Sequence, residues 1–361
     1  MEPSARTPHA APRTPLSLAL IIYGDLSTLS GGYLYDRRLV GYLRSCGDTV
    51  DIISLPWRNY ASHLLDNLTF RLPAGLDLLI QDELNHPSLL TANAGPHPYP
   101  IVSLVHHLRC SEQRPAWQNA LYRLVERRYL RSVDGFIFNS ETTRTDVQGV
   151  AGGDEPSVLA YPPTDRFHPD VTEGDLASRA ASGELRILFL GSVIHRKGLH
   201  LLLDALRLLP EPFHLDVAGS LAAEPAYARR MQARAAGFGS RVTFHSSLDD
   251  QPLISILSSS HLLCNPSSYE GFGIAYLEGM AFGLPAIGTS LGAAREIITD
   301  GMDGFLIPPG DPTVLAERLS TLARDRGMLL RMSLAARQRF IRQPPWEQTA
   351  ATIRAFLQNL L

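Results

Sequence analysis

Short apolar runs alternate with helical stretches along this chain, and the alternation occurs twice. Runs of about four to eight apolar residues with helices between them predict strands buried on both faces and paired in parallel through βαβ crossovers. The first series predicts strands at Leu18–Tyr23, Val50–Leu55, Leu76–Ile80, Ile101–Val105, Gly135–Asn139 and Ser157–Tyr161. Helices are expected between them at Tyr33–Cys46, Trp57–Phe70, Pro115–Arg131 and Glu141–Val150. The second series predicts strands at Leu185–Leu190, Phe213–Ala218, 241–244, 261–264, 285–288 and 304–307. Its helices fall at Leu199–Leu209, 225–236, 252–259 and 274–282, and from residue 312 the chain reads as helix, broken at Gln343-Pro344-Pro345.

Between the two series, Pro162–Gly183 is rich in Pro, Asp, Ser and Ala and reads as an interdomain linker. The 361 residues suit two domains. The expectation is an α/β chain of two Rossmann-like, doubly wound units facing each other across a cleft. The first spans 16–165, a linker 166–183, the second 184–343, and a last helix 344–361. Residues 1–15 hold four prolines and almost nothing that packs, and are expected to be a disordered tail. In such sheets ligands bind beyond the carboxyl ends of the strands, so the residues after each strand matter most.

One candidate follows the strand 185–190: GSVIHRKG, Gly191 to Gly198. Gly191 permits a sharp turn, and Arg196 and Lys197 stand just before a helix, whose first N–H groups and dipole favour an anion. Two cations there suit a diphosphate; a solvated turn is the plainer alternative. Lys197 is the only lysine in the chain, all other basic residues being arginine. A compact ammonium fits a point-charge phosphate contact where a planar guanidinium does not.

A second candidate is SSYEGFGIAYLEGMAFGLPAIGT, 267–289. Glu270 lies in a loop after a strand, Gly271 and Gly273 allow close backbone approach, and Glu278 falls inside the next helix, which Gly283 and Pro285 end. Each glutamate alone reads as an ordinary loop or helix-start acid; the joint pattern is far more specific.

This pattern resembles the GT-B nucleotide-sugar glycosyltransferases, specifically retaining family 4, whose hallmark is two glutamates eight apart with Phe-Gly after the first, here Glu270, Phe272-Gly273 and Glu278. The resemblance extends to Gly31-Gly32, to VSLVHHL with His106, to FNSETTRTDV, YPPTDRFHP and DGMDGFLIPPGDP, and so to nearly all of the chain after residue 16. It implies a transferase moving a sugar from a nucleoside-diphosphate sugar to an acceptor hydroxyl, with retention, in processes such as cell-surface polysaccharide assembly. Arg196 and Lys197 would bind the diphosphate, with Gly191 shaping that loop. Glu278 would hold the ribose. Glu270 and the backbone of Gly271, Phe272 and Gly273 would hold the sugar. Gly31 and Gly32 would approach the phosphates from the first unit, His106 would sit beside the reacting sugar, and the last helix would cross back onto the first unit. Two departures stand out: His107 where the family often has Asp, and Ser246 where it commonly has Gly.

The chain holds no D-x-D, the pattern by which GT-A enzymes hold Mn²⁺ or Mg²⁺, so cations and helix N-termini are expected to neutralise the leaving diphosphate with no cofactor and no metal. A net charge of -3 argues against nucleic-acid binding. The run Leu16–Tyr23 is too short to span a membrane and lacks a cleavage pattern. Three cysteines, Cys46, Cys110 and Cys264, without C-x-x-C spacing argue against disulfides and structural zinc, and point to the cytoplasm. His107 with Cys110 is too small a set for a metal. The helix 115–131 carries Arg123, Arg127, Arg128 and Arg131 among Trp117, Leu121, Leu124 and Leu130. A core-facing stripe with solvated arginines is the expectation; peripheral contact with the inner face of a membrane is the alternative. Rival functions are a nucleotide-sugar epimerase of the same architecture and a sensor that binds donor without turnover.

Overall fold

The computed structural model describes residues 14–28 and 30–361, so the tail expected at 1–15 lies almost wholly outside the described residues. Two six-stranded parallel sheets form its centre. The first comprises β1 (Ser17–Tyr23), β2 (Thr49–Leu55), β3 (Leu78–Asp82), β4 (Ile101–Val105), β5 (Gly135–Phe138) and β6 (Ser157–Leu159), in the order β2-β1-β3-β4-β5-β6. The second comprises β7 (Leu185–Leu190), β8 (Phe213–Ala218), β9 (Val242–Ser246), β10 (Leu262–Cys264), β11 (Ala286–Thr289) and β12 (Gly304–Ile307), in the order β12-β11-β10-β7-β8-β9. The strand order reverses between β1 and β3 in one sheet and between β7 and β10 in the other. These switch points are where open α/β sheets take ligands.

Alternation along β1 shows why the chain needs helices on both sides. Leu18, Leu20 and Ile22 pack with Tyr35, Leu39 and Ile353 on one face, while Ala19, Ile21 and Tyr23 pack with Tyr129 and Leu130 on the other.

Two expectations are corrected. The stretch 162–183 carries a helix, Glu173–Ala181, opened by a reciprocal capping box between Thr172 and Asp175. Its Leu176 and Ala180 are buried, and Leu176 lies over Gly283 of the second unit. The helix Ala116–Leu130 is turned otherwise than its leucines suggest. Tyr122, Glu126, Tyr129 and Leu130 face inward, whereas Trp117, Leu121 and Leu124 are exposed. The Glu126 carboxylate fixes that rotation by accepting the N–H of Arg109 at 2.6 Å and of Cys110 at 3.2–3.3 Å.

The chain passes between the units twice, each time through a diproline, Pro162-Pro163 and Pro344-Pro345. The helix Gly31–Ser45 touches both passes. Tyr35 Oη donates to Ala160 O, Arg38 pairs with Asp165, and Arg38 O accepts from Trp346 Nε1. The final helix, Trp346–Asn359, then buries Trp346, Ala350, Ile353 and Leu357 in the core of the first unit. Arg354 closes it with a buried bidentate pair to Asp48, at 2.7 and 2.8 Å. Asp48 also accepts the N–H of Leu16. Removing one partner of such a pair strands the other charge, at a cost of roughly 3–5 kcal/mol. Arg354→Ala is therefore expected to lower the unfolding midpoint by on the order of 10 °C. An unchanged midpoint by calorimetry would refute the assignment of this pair as the clasp.

Candidate functional site

The loops after β1, β4, β7 and β10 converge on a cleft of about 590 Å³ between the two units. After β7 the backbone turns at Gly191, whose φ of 143° favours glycine, and a short 3₁₀ turn, His195–Lys197, follows. After β10 comes the loop that carries Glu270. The structure joins the two: Lys197 Nζ donates to Glu270 Oε1 at 2.6 Å, and Ser267 Oγ donates to the same oxygen at 2.5 Å. Arg196 Nη1 donates to Tyr269 O at 2.6 Å and lies 3.5 Å from Glu270 Oε2. Burial works to raise the Glu270 carboxyl, but Lys197 and then Arg196 outweigh it and bring it to about 2. Burial pulls the Lys197 ammonium below its usual range despite Glu270, and Arg196 adds to that pull.

Phe272 is buried against the ring of Tyr161, and Gly273, at φ 104°, starts the helix Ile274–Ala281. Glu278 sits inside this helix, buried, with a carboxyl raised by that burial and partly opposed by Arg166. Arg166 Nη1 donates to Glu278 Oε1 at 3.0 Å, while its other nitrogens reach Asp250 Oδ1 at 2.7 and 3.1 Å. Sequence reading missed Arg166; the contact joins residues 112 apart, and no spacing marks it.

On the opposite wall, Gly31 and Gly32 open the helix Gly31–Ser45, with Ser30 as its cap. His106 follows β4 and lies under Gly32. Its Nε2 is 3.1 Å from Asp36 Oδ1, its carbonyl accepts from Asn139 Nδ2 at 2.8 Å, and Tyr35 meets its ring edge-on. Burial disfavours a charged imidazole, yet Asp36, with Asp82 and Glu83 behind it, holds His106 up at about 9. Asp82 and Glu83 also line the cleft, and burial first of all raises their carboxyls to about 7 and about 8. Sequence reading missed these three acids; Asp36, a carboxylate on the apolar face of its helix, was the available signal. Among the described residues two sets come close enough to share a cation: Asp36, Asp82 and His106, and Glu83, His86 and Glu126. In the first set Asp36 already holds the His106 ring through Nε2. His107 turns to Glu112, at 3.0 Å, while Cys110 is buried with its N–H on Glu126.

The walls touch at the cleft floor. A Cβ on Gly271 would stand 2.2 Å from the carbonyl oxygen of His106, so only glycine fits. Ser140 Oγ donates to Gly271 O at 2.8 Å, and Tyr269 Oη to Asp146 at 2.6 Å. Glu296 of the second unit accepts the first N–H groups of the helix Glu141–Ala151, at 2.9 and 2.7 Å. At the end of β9, Ser246 keeps the left-handed backbone (φ 55°) that a glycine would favour; it is the only non-glycine residue at positive φ among the described residues.

Residues 174–339, essentially the second unit, match the family model described as Glycosyl transferases group 1. Over 240 residues the chain is 28% identical to the D-inositol 3-phosphate glycosyltransferase of Xylanimonas cellulosilytica, covering 63% of this chain and 57% of that protein. Over 243 residues it is 30% identical to the D-rhamnosyltransferase WbpZ of Pseudomonas aeruginosa, covering 62% of each. The alignments thus span less than two thirds of either relative's length. Among solved structures, sucrose-phosphate synthase from Thermosynechococcus elongatus superposes with a TM-score of 0.79 at 20% identity, covering 96% of this chain and 99% of that one. Anabaena Alr3699/HepE in complex with UDP and glucose gives 0.71 at 18%, covering 95% and 100%. The fold is GT-B.

Proposed function

We propose that this chain transfers a sugar from a nucleoside-diphosphate sugar to an acceptor hydroxyl, with retention and without a metal. The observation that carries the reading is the meeting of Lys197, Arg196 and Glu270 beyond β7 and β10, opposite Gly31-Gly32 and His106. The UDP and UDP-glucose bound to the Anabaena neighbour support a donor of this class. Arg196, Lys197 and the first N–H groups after Ser30 would take the diphosphate. Glu278 would accept ribose hydroxyl protons once Arg166 yields one of its bonds. Glu270, already ionised, would accept from the sugar hydroxyls. His106, charged at neutral pH, would donate to the sugar rather than take a proton from it. As the glycosidic bond breaks, negative charge grows on the diphosphate, and fixed cations stabilise it there.

Release of nucleoside diphosphate, assayed with and without acceptors, tests the reading. Turnover is expected to need an acceptor, to give the donor's anomeric configuration by NMR, and to persist in excess EDTA. Loss on chelation, restored by Mg²⁺ or Mn²⁺, would overturn the metal-free step; donor converted without acceptor would indicate an epimerase, and binding without conversion a sensor.

A further inference from the structure

Seven of the twelve large hydrophobic side chains exposed on the described surface fall in two short stretches of the first unit, 57–68 and 117–124. The helix Ala116–Leu130 presents Trp117 (72% exposed), Leu121 (50%) and Leu124 (67%), one to two turns apart on one face. Beside it, the short helix Tyr60–Leu65 and the turn after it expose Leu65 and Leu68. The two stretches adjoin where the Tyr60 and Tyr122 rings meet at 4.7 Å.

Charge distinguishes this face from a chance patch. The only acid of the helix Ala116–Leu130 is Glu126, and it is buried. Arg123, Arg127 and Arg128 are exposed, and none has an acidic partner among the described residues. Arg131, at the helix end, is exposed too and gives one nitrogen to Ala151 O. Between residues 57 and 72 the only acid, Asp66, is buried and paired with Arg58. An apolar stripe bordered by unpaired arginines, with no outward carboxylate, complements a surface that is apolar below and anionic above.

We propose that this face docks the first unit on an anionic lipid bilayer, Trp117, Leu121 and Leu124 entering the headgroup boundary while Arg123, Arg127, Arg128 and Arg131 engage lipid phosphates. The contact is peripheral, since no helix of the described chain is long and apolar enough to cross a membrane. Amphipathic helices bind in this way through apolar insertion plus attraction to anionic lipid. The inference stands apart from the transfer reading and is tested without turnover.

The test is cosedimentation of the full chain with phosphatidylcholine vesicles, with and without phosphatidylglycerol, at low and high salt. Binding is expected only to the anionic vesicles and is expected to weaken with salt. Two variants separate the two components: Trp117→Ser with Leu121→Ser and Leu124→Ser, and Arg127→Glu with Arg128→Glu. Each is expected to keep the wild-type circular dichroism and to bind at least about tenfold more weakly. The second variant carries the test should the first fold poorly. No binding to anionic vesicles, equal binding to neutral ones, or unchanged binding by the charge-reversed variant would overturn the proposal. So would a solution dimer that the triple serine variant dissolves while vesicles fail to bind, which would make the face a contact between copies.

Discussion

Lys197→Ala is expected to lower kcat at saturating donor by on the order of 10²–10³, the loss that follows removal of one preorganised stabiliser of developing charge. On the proposed reading the ammonium would sit where the leaving diphosphate gains charge and would bind the transition state more tightly than the ground state; the effect then belongs in kcat and not only in KM. Lys197→Arg should recover part of it, because the planar fork is larger and places its charge elsewhere. On sequence alone, a cleft residue of this kind is dispensable for folding. The structure adds a cost. Lys197 neutralises a buried carboxylate, so its loss leaves Glu270 with Ser267 and Arg196. The cost should fall at the low end of the roughly 3–5 kcal/mol seen when a buried ion pair loses one partner. A Lys197→Ala, Glu270→Gln double variant separates the two effects: it should regain the melting temperature and remain inactive. A single variant with near wild-type kcat would sink the assignment of Lys197 to the leaving group.

Gly271→Ala is expected to be nearly as damaging, for a steric reason. The new methyl would fall 2.2 Å from the His106 carbonyl oxygen and 3.0 Å from His107 Cβ. Neither side can easily yield, because Asn139 holds that carbonyl and Ser140 holds the carbonyl of Gly271. The units must part by about 1 Å, a misplacement that costs on the order of 10² in rate when it separates reacting groups. On the proposed reading most donor contacts would come from the second unit, so donor affinity should change little in calorimetry. Wild-type turnover in this variant would show that catalysis does not use the closed contact seen here.

The strands were legible because a parallel strand buried on both faces must be apolar throughout, and runs as short and uniformly apolar as Leu18–Tyr23 and Leu185–Leu190 suit such a strand better than a surface helix. The linker helix was not read, although Thr172-x-x-Asp175 carries its capping signal, because the prolines and aspartates around it suggest an irregular segment. The rotation of the helix Ala116–Leu130 was not legible. Leucine periodicity suggests one face, but two tyrosines and a capping glutamate pack better on this sheet. Nor could the sequence pair Asp36 with His106, 70 residues apart, or Arg166 with Glu278, since only the folded arrangement of distant segments makes them neighbours. Ser246 shows the reverse case: the side chain departs from the resembling pattern, while the backbone keeps the conformation that a glycine would have made easy.

The two diproline passes meet one rigid helix, through Tyr35 and Arg38, and this limits how the units can move. Stiff spacers anchored side by side behave as two pins through one leaf of a door. Sliding or twisting would strain both, leaving rotation about the line joining them as the soft coordinate. In a rotation, points near the axis travel least. Gly31 and Gly32 begin the same helix, about one turn from Tyr35. They stay almost still, and so does Glu296, which faces Tyr161 beside Pro162 and is held through its carbonyl by Arg339, itself bonded to Gln343 beside Pro344, while the lever arm grows toward the far rim of the cleft. Opening therefore widens the far rim first and disturbs the glycine turn and the Glu296 cap last.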